Sequence, residues 1–174
     1  EAVIVFILYG ECEKMRRATE GIYRRYPKCV CDVLMNFLGT HDTKRILTVF
    51  GGDSGDGRTA DELAHMKLER EQLKTGINRL KRAYVIVAAM FGVPSVFYGD
   101  EAGLEGYDDP FCRRPFPWKH QNNELTSFFR RIGKLRRSEK VFREGFFRLI
   151  VCTPDLFVFH RYNDEERLII CVTR

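Results

Sequence analysis

The chain has 174 residues, of which 44% are hydrophobic and 30% are charged, a balance typical of a globular protein with a substantial core. Its formal net charge is +5, but the basic residues are spread along the chain without a recognised nucleic-acid motif, so we expect no nucleic-acid partner. The apolar run over residues 2 to 8 follows Glu1 without a basic start and is too short to span a bilayer, which argues against a membrane segment there.

The first elements in chain order are two helical patterns, which fill residues 1 to 26 on either side of Gly10. Pro27 ends the second pattern, because proline cannot continue a helix. The mostly apolar run from Val30 to Leu38 then predicts a parallel strand buried on both faces. Gly39 closes this strand, and the polar residues T-H-D-T follow at once.

The middle of the chain predicts a crossover connection between two parallel strands. We expect a short helix over 43 to 50, an exposed loop of glycines and acids over 51 to 57, and a long helical region over 59 to 91. A second apolar strand over 93 to 98 ends in Gly99 and two acids. A strand, a helix and a strand make a βαβ unit, whose chemistry lies at the C-terminal strand ends.

The last third of the chain changes character. A helix is predicted over 123 to 137, and three β-rich stretches follow over 146 to 152, 156 to 162 and 168 to 172. The turns T-P-D and N-D-E-E join them, as in an antiparallel meander. We therefore predict a boundary near 138 to 144, between an α/β segment and the start of an all-β domain.

Two motifs carry a resemblance to a known family. The stretch M-N-F-L-G-T-H-D-T-K-R-I-L-T over 35 to 48 resembles the fourth conserved region of the α-amylase family of glycoside hydrolases, especially its neopullulanase, cyclomaltodextrinase and maltogenic amylase branch. The stretch V-P-S-V-F-Y-G-D-E over 93 to 101, continuing to D-D-P-F-C-R-R-P-F-P-W, is similar to the eighth barrel strand and the loop after it.

The resemblance implies a fold and a division into domains. The fold class is α/β, with residues 1–140 as the C-terminal portion of a (β/α)8 TIM barrel that supplies strands seven and eight. Residues 141–174 would be the first strands of an antiparallel β-sandwich domain. Because the chain has no initiator Met and opens inside an apolar element, we expect it to be part of a longer protein, and we expect association through the exposed edges of the incomplete barrel.

The resemblance also implies a catalytic residue. Asp42 matches the family's transition-state stabiliser, and His41 matches a histidine that binds sugar hydroxyls beside the cleavage point. A fixed carboxylate in a partly dry pocket favours the oxocarbenium-like state of glycoside cleavage over the neutral substrate. The alternative is that Asp42 caps the helix expected to start near Thr43, since aspartate is a favoured N-cap.

A second pair falls in the D-D-P-F-C-R-R segment. Asp109 and Arg113 match an aspartate and an arginine that grip glucose units on the non-reducing side of the cut, and the alternative is an ion pair that only stabilises the loop. Asp100 and Glu101 are expected to hold the same loop. Trp118, the one tryptophan, could stack on a sugar, although we expect it to pack at the barrel rim.

The resemblance leaves part of the catalytic machinery unaccounted for. The family's nucleophile and general acid lie N-terminal to the matched region, and nothing in residues 1 to 30 resembles either. We therefore expect the chain alone to be inactive, as a fragment of a retaining hydrolase that cleaves α-1,4-glucosidic bonds in maltodextrins, cyclodextrins or pullulan. The alternatives are a truncated, non-catalytic remnant with at most weak sugar binding, or a transglycosidase on the same scaffold.

The six cysteines bear on compartment and metal content. They form no CxxC pair and lie at no zinc-ligand spacing from a histidine, so we expect neither a metal site nor a disulfide scaffold. No motif indicates a cofactor, and none is expected. Free thiols fit a reducing compartment, and we expect a cytoplasmic protein.

Overall fold

The computed structural model describes all residues from Glu1 to Arg174. The helices, in chain order, are α1 (Ala2–Tyr9), α2 (Cys12–Arg25), α3 (Lys28–Cys31), α4 (Ile46–Gly51), α5 (Ala60–His65), α6 (Arg70–Ala89), α7 (Asn123–Ser138) and α8 (Val141–Glu144). The strands are β1 (Met35–Asn36), β2 (Val93–Pro94), β3 (Phe146–Thr153), β4 (Leu156–Tyr162) and β5 (Arg167–Thr173). Short 3-10 turns cover Asp100–Ala102 and Phe111–Arg113.

The chain folds into two compact units built from interleaved segments. The first unit contains Glu1–Asn36, Arg82–Ser95 and Arg131–Arg174. The second contains Phe37–Lys81 and Val96–Arg130. Helices α6 and α7 each contribute residues to both units.

The first unit holds both sheets. Strands β1 and β2 pair in parallel, with Met35 opposite Val93, which confirms the predicted βαβ connection through the intervening helices. Strands β3, β4 and β5 form an antiparallel sheet in that order, close to the predicted bounds of all three. The predicted α/β class with a C-terminal antiparallel sheet is therefore confirmed.

Aromatic packing forms the core of the first unit. The ring of Tyr23 on α2 lies 5.1 Å from that of Phe91 and 5.4 Å from that of Phe147 on β3. On β4, the rings of the fully buried Phe157 and Phe159 contact each other, and the ring of Phe157 also contacts that of Phe6 on α1. Because rings at these separations add stabilisation beyond their area burial, the N-terminal helices are anchored on the C-terminal sheet.

The second unit consists of loops held by helices α4 and α5 and by the first parts of α6 and α7. Helix α5 begins with a capping box, in which Thr59 and Glu62 each bond to the other's backbone N–H. Fully buried side chains from α4 (Ile46, Leu47 and Phe50) form its apolar centre. Gly76 on α6 permits close approach, because a Cβ there would lie 3.0 Å from the Leu47 carbonyl oxygen. The glycine is thus what allows α6 to lie against α4.

The predicted strand over 30 to 38 was too long. Residues 28 to 31 form helix α3, and an ion pair between Lys28 and Asp32 across one turn supports it. Only Met35 and Asn36 of this run are paired in a sheet. Their partner is β2, and the sheet has no third strand. The second strand is equally short, and Pro94 has no N–H to offer a ladder.

The helical region predicted over 59 to 91 is two helices, α5 and α6. Between them the backbone of Met66 is extended, and the Leu68 N–H donates to the carboxylate of Glu105 instead of a helical carbonyl. Gln72 then accepts from the Glu69 N–H at the start of α6. The helical region is interrupted where Leu68 bonds to Glu105, which lies 37 residues further along the chain. No local pattern in 59 to 91 reveals this contact.

None of the helices combines the length and the apolar composition needed to cross a bilayer.

Candidate active site

The loop that follows β1 is a compact turn closed by two threonines. The Thr40 N–H donates to Thr43 Oγ1 at 3.1 Å, and the Asp42 N–H donates to Thr40 Oγ1 at 3.3 Å. Helix α4 starts only at Ile46, and its N-cap residue is Arg45. Asp42 therefore does not cap this helix, and that alternative is wrong.

Arg113 joins the two predicted pairs of site residues. Its Nε donates to the His41 carbonyl oxygen at 3.0 Å and lies 2.9 Å from Asp109 Oδ1. Its Nη2 lies 3.3 Å from Asp42 Oδ1, and Asp42 Oδ2 lies 3.1 Å from His41 Nε2. The four residues chosen from sequence thus form one cluster. The loop ion pair considered as an alternative for Asp109 and Arg113 is present within it.

The cluster lies open to solvent. The side chain of Asp42 is 67% exposed, and those of His41, Asp109 and Arg113 are about half exposed or more. Charges so placed interact weakly, because water screens them. The residues of this chain do not by themselves make the partly dry pocket expected around the stabilising carboxylate.

A buried arginine lies beneath the exposed cluster. Arg45 is 1% exposed, and its Nε donates to the Cys112 carbonyl oxygen at 2.6 Å. Its guanidinium carbon lies 4.2 Å and 4.6 Å from the ring centroids of Phe97 and Tyr98. Since Arg45 lies three residues after Asp42 and Cys112 just before Arg113, this one side chain ties together the two loops that carry the site.

Asp100 provides the countercharge for Arg45. Its Oδ1 lies 3.3 Å from Arg45 Nη1, and its side chain is 5% exposed. Burial raises the pKa of Asp100 to about 7, although the Arg45 guanidinium acts in the lowering direction. Gly39 makes room for this carboxylate, because a Cβ there would lie 3.2 Å from Asp100 Oδ2. Asp100 thus holds the loop, as the sequence predicted.

Two further contacts between the loops were not anticipated. The buried Cys112 thiol donates to the His41 carbonyl oxygen at 3.2 Å. Lys44 donates to the Ser54 carbonyl oxygen at 2.6 Å and lies 3.4 Å from a carboxylate oxygen of Asp108. The only sequence signal for such contacts is the K-R pair directly after T-H-D-T, where charged residues precede an apolar helix.

The side chain of Trp118 is largely exposed to solvent. It is 74% exposed, and its ring lies 4.6 Å from that of Phe116. The sequence favoured packing at a rim, whereas the side chain here faces solvent. Pro117 and His120, on either side of it in sequence, line a cavity of about 680 Å³.

No group of three or more His, Cys, Asp or Glu side chains in the structure could hold a metal ion. All six cysteines are free thiols.

The chain is similar over most of its length to two kinds of named enzyme. An amylopullulanase from Thermoanaerobacter thermohydrosulfuricus is 36% identical over 151 residues, which are 87% of this chain and 10% of that protein. A cyclomaltodextrinase from Geobacillus thermopakistaniensis is 27% identical over 157 residues, covering 88% of this chain and 23% of that protein. No protein-family model matches the chain.

The fold is also similar to solved structures. An acarbose-soaked debranching enzyme from Nostoc punctiforme superposes with a TM-score of 0.71 at 25% identity, over 92% of this chain and 28% of that one. The chain spans only 8% to 11% of the length of the amylopullulanases that it matches.

Proposed function

Over most of its length this chain is a homologue of α-amylase-family glycoside hydrolases, and we propose that it is the C-terminal part of a retaining α-glucan hydrolase. The bonds cleaved are α-1,4-glucosidic bonds in maltodextrins, cyclodextrins or pullulan. In this proposal, β1 and β2 are strands seven and eight of a (β/α)8 barrel, and β3 to β5 begin a β-sandwich domain. The observation that carries the proposal is the convergence of His41, Asp42, Asp109 and Arg113 from two loops.

Asp42 is the proposed transition-state stabiliser. As the glycosidic bond breaks, positive charge grows on the sugar ring, and a carboxylate held in place interacts with that charge more strongly than with the neutral substrate. The Thr40 and Thr43 turn fixes the backbone of Asp42, so little reorganisation is needed during the reaction. The surrounding pocket would be completed by parts of the enzyme outside this chain.

His41 and the Asp109–Arg113 pair are proposed to bind the sugar. His41 offers a ring N–H to a hydroxyl next to the cleavage point, and this bond tightens as the ring flattens. Arg113 presents several donors in one plane, and Asp109 accepts from hydroxyl groups. Because Arg113 also contacts Asp42, a glucose unit bound there would be held in fixed register with the stabilising carboxylate.

The nucleophile and the general acid are proposed to come from other parts of the enzyme. Retaining hydrolysis needs two carboxyl groups roughly 5 Å apart, one to form the glycosyl intermediate and one to protonate the leaving oxygen. Asp42 performs neither task in this scheme. The proposal therefore concerns the longer protein.

Replacing Asp42 with asparagine in the longer protein tests this proposal. Asp42→Asn keeps the size of the side chain and removes its charge, which should lower kcat about 100-fold or more, on the order of 3 kcal/mol. Both kcat and kcat/KM should fall together while KM changes little, because the lost interaction is strongest in the transition state. Initial rates on maltotriose and on β-cyclodextrin measure this.

A neighbouring carboxylate serves as the control. Asp108→Asn removes one exposed charge from the same region and should leave kcat near that of the wild type. If Asp42→Asn retains activity within a few-fold of wild type, Asp42 is not the stabiliser and the proposal fails.

A further inference from the structure

The Phe116–Trp118 pair is the most exposed aromatic surface of the second unit. Trp118 is 74% exposed, and its ring centroid lies 4.6 Å from that of Phe116, with the planes inclined by 53°. A large apolar ring held in water has no stabilising role within the unit, since it buries little surface. One side of this aromatic pair is therefore accessible to a ligand.

The backbone at Trp118 is held in an uncommon conformation. Lys119, the next residue, has a φ of 65° and is the only non-glycine residue of the chain with a positive φ. The turn is fixed on both sides, since the Trp118 N–H donates to the Phe116 carbonyl and the His120 N–H donates to the Pro117 carbonyl. Such a conformation is strained for a residue with a side chain, and strained backbone is concentrated at functional and binding sites.

A cavity lined by both polar and apolar residues adjoins this turn. Pro117 and His120 line a space of about 680 Å³, which also receives Lys67, Glu105 and Asn122. These side chains include cationic donors, a carboxylate acceptor and an amide that can do both. Lys67, Arg114 and Glu105 give the lining cationic donors and a carboxylate acceptor, which can bind the hydroxyl groups of a ligand.

We propose that Phe116 and Trp118 form a platform for a pyranose ring of an α-glucan, whose neighbouring units place hydroxyl groups in the adjoining cavity. A pyranose has an apolar face of C–H groups and an edge of hydroxyls, which matches an aromatic plane beside a cavity that contains hydrogen-bonding side chains. The choice of an α-glucan rests on the proposed function. The contact is one of binding, and no catalytic step is assigned to it.

The single tryptophan makes the test direct, because the fluorescence of the 174-residue chain reports Trp118 alone. Titration with maltoheptaose should change this fluorescence in a saturable way, with half-saturation on the order of 1 mM for one stacked platform. Inorganic phosphate at the same concentration should have no effect. A response to phosphate without one to maltoheptaose would overturn the assignment in favour of an anion site.

Affinity electrophoresis of the longer protein in gels containing amylopectin gives a second measurement. Trp118→Ala should lose most of the retardation, whereas Trp118→Phe keeps a ring and should retain part of it. Tyr26→Ala, at another exposed aromatic residue, should migrate like the wild type. Unchanged retardation of Trp118→Ala contradicts the inference.

The two proposals can fail separately. If Asp42→Asn abolishes catalysis while maltoheptaose leaves Trp118 fluorescence unchanged, the hydrolase assignment stands and the glucan platform is rejected. If maltoheptaose binds at Trp118 while Asp42→Asn is fully active, the platform stands and the assignment of Asp42 is rejected.

Discussion

Arg45 carries the fixed charge around which the candidate site is organised. The residues expected to touch substrate are exposed to water, whereas Arg45 is 1% exposed and bonded through its side chain to Cys112, Tyr98 and Asp100. A guanidinium presents its donors in one rigid plane, which fixes the directions of these bonds. The spacing between the two loops is therefore set below the surface of the site.

The Arg45–Asp100 pair gives the stability of the chain a specific pH dependence. Burial raises the pKa of Asp100 to about 7, above its usual value near 3.9 in an unfolded chain. The folded state therefore binds the carboxyl proton of Asp100 more tightly than the unfolded state does. The contribution of this proton binding to the free energy of unfolding is complete below about pH 4 and is lost as the pH rises to 7. Asp100→Asn has no carboxyl group at this position, so this contribution to its free energy of unfolding is absent.

We expect the stability difference between wild type and Asp100→Asn to be largest near pH 4 and to narrow by pH 7. Urea unfolding of both proteins at several pH values measures it, and Asp56→Asn in the exposed glycine-rich loop controls for the loss of one carboxylate. A difference that widens as the pH rises would mean instead that attraction to Arg45 dominates over burial.

The sequence predicted the exposed site residues better than the buried ones. His41, Asp42, Asp109 and Arg113 were chosen from motif resemblance, and the structure brings them together, although their roles stay predictions. Arg45 and Cys112 are not assigned from the sequence because their partners lie 53 to 71 residues away in the chain. Side-chain bonds to backbone carbonyls at such separations leave no periodic signal in a sequence.

At the scale of elements, the C-terminal end of α6 is capped by arginines. Arg136 donates to the carbonyl oxygens of Ala88, Met90 and Gly92, and Arg161 donates to that of Ala89 at 2.9 Å. The last carbonyls of a helix have no partner within the helix, and cations there also interact favourably with its dipole. These bonds fix the end of α6 directly before β2.

Arg136→Met should therefore destabilise the first unit. The substitution keeps much of the apolar stem but leaves buried carbonyls without donors, at a cost of about 2 kcal/mol. Arg137→Met, at the exposed neighbouring position, should change stability little. Urea midpoints for the two variants compare these outcomes, and equal midpoints would show that the capping bonds contribute nothing.

Element types were easier to predict than element ends. Helix α7 and strands β3 to β5 match their predicted ranges within a residue or two, because their amphipathic and alternating patterns extend over the whole element. The runs over 30 to 38 and 93 to 98 were read as full strands, yet only two residues of each are paired. Strand length depends on partner strands, which hydropathy does not reveal.

At the scale of the whole molecule, the 174-residue chain should show no glycosidase activity. An isolated stabilising carboxylate offers neither a covalent intermediate nor a proton for the leaving group. Reducing-sugar release from maltotriose, cyclodextrin, pullulan and starch should equal that of a boiled control. Release clearly above that control would mean that a nucleophile and an acid lie within these residues.

The interleaving of the two units has a consequence for synthesis on the ribosome. Every residue of the second unit has been translated once Arg130 is added, but the first unit needs both Glu1–Asn36 and the strands that end near Arg174. Phe157, which contacts Phe6, is translated 151 residues after it. At the usual translation rate of about 5 to 20 residues per second, this takes roughly 10 to 30 s. During that interval the apolar helix α1 is without its sheet, so this segment of the nascent chain is exposed to chaperones and proteases.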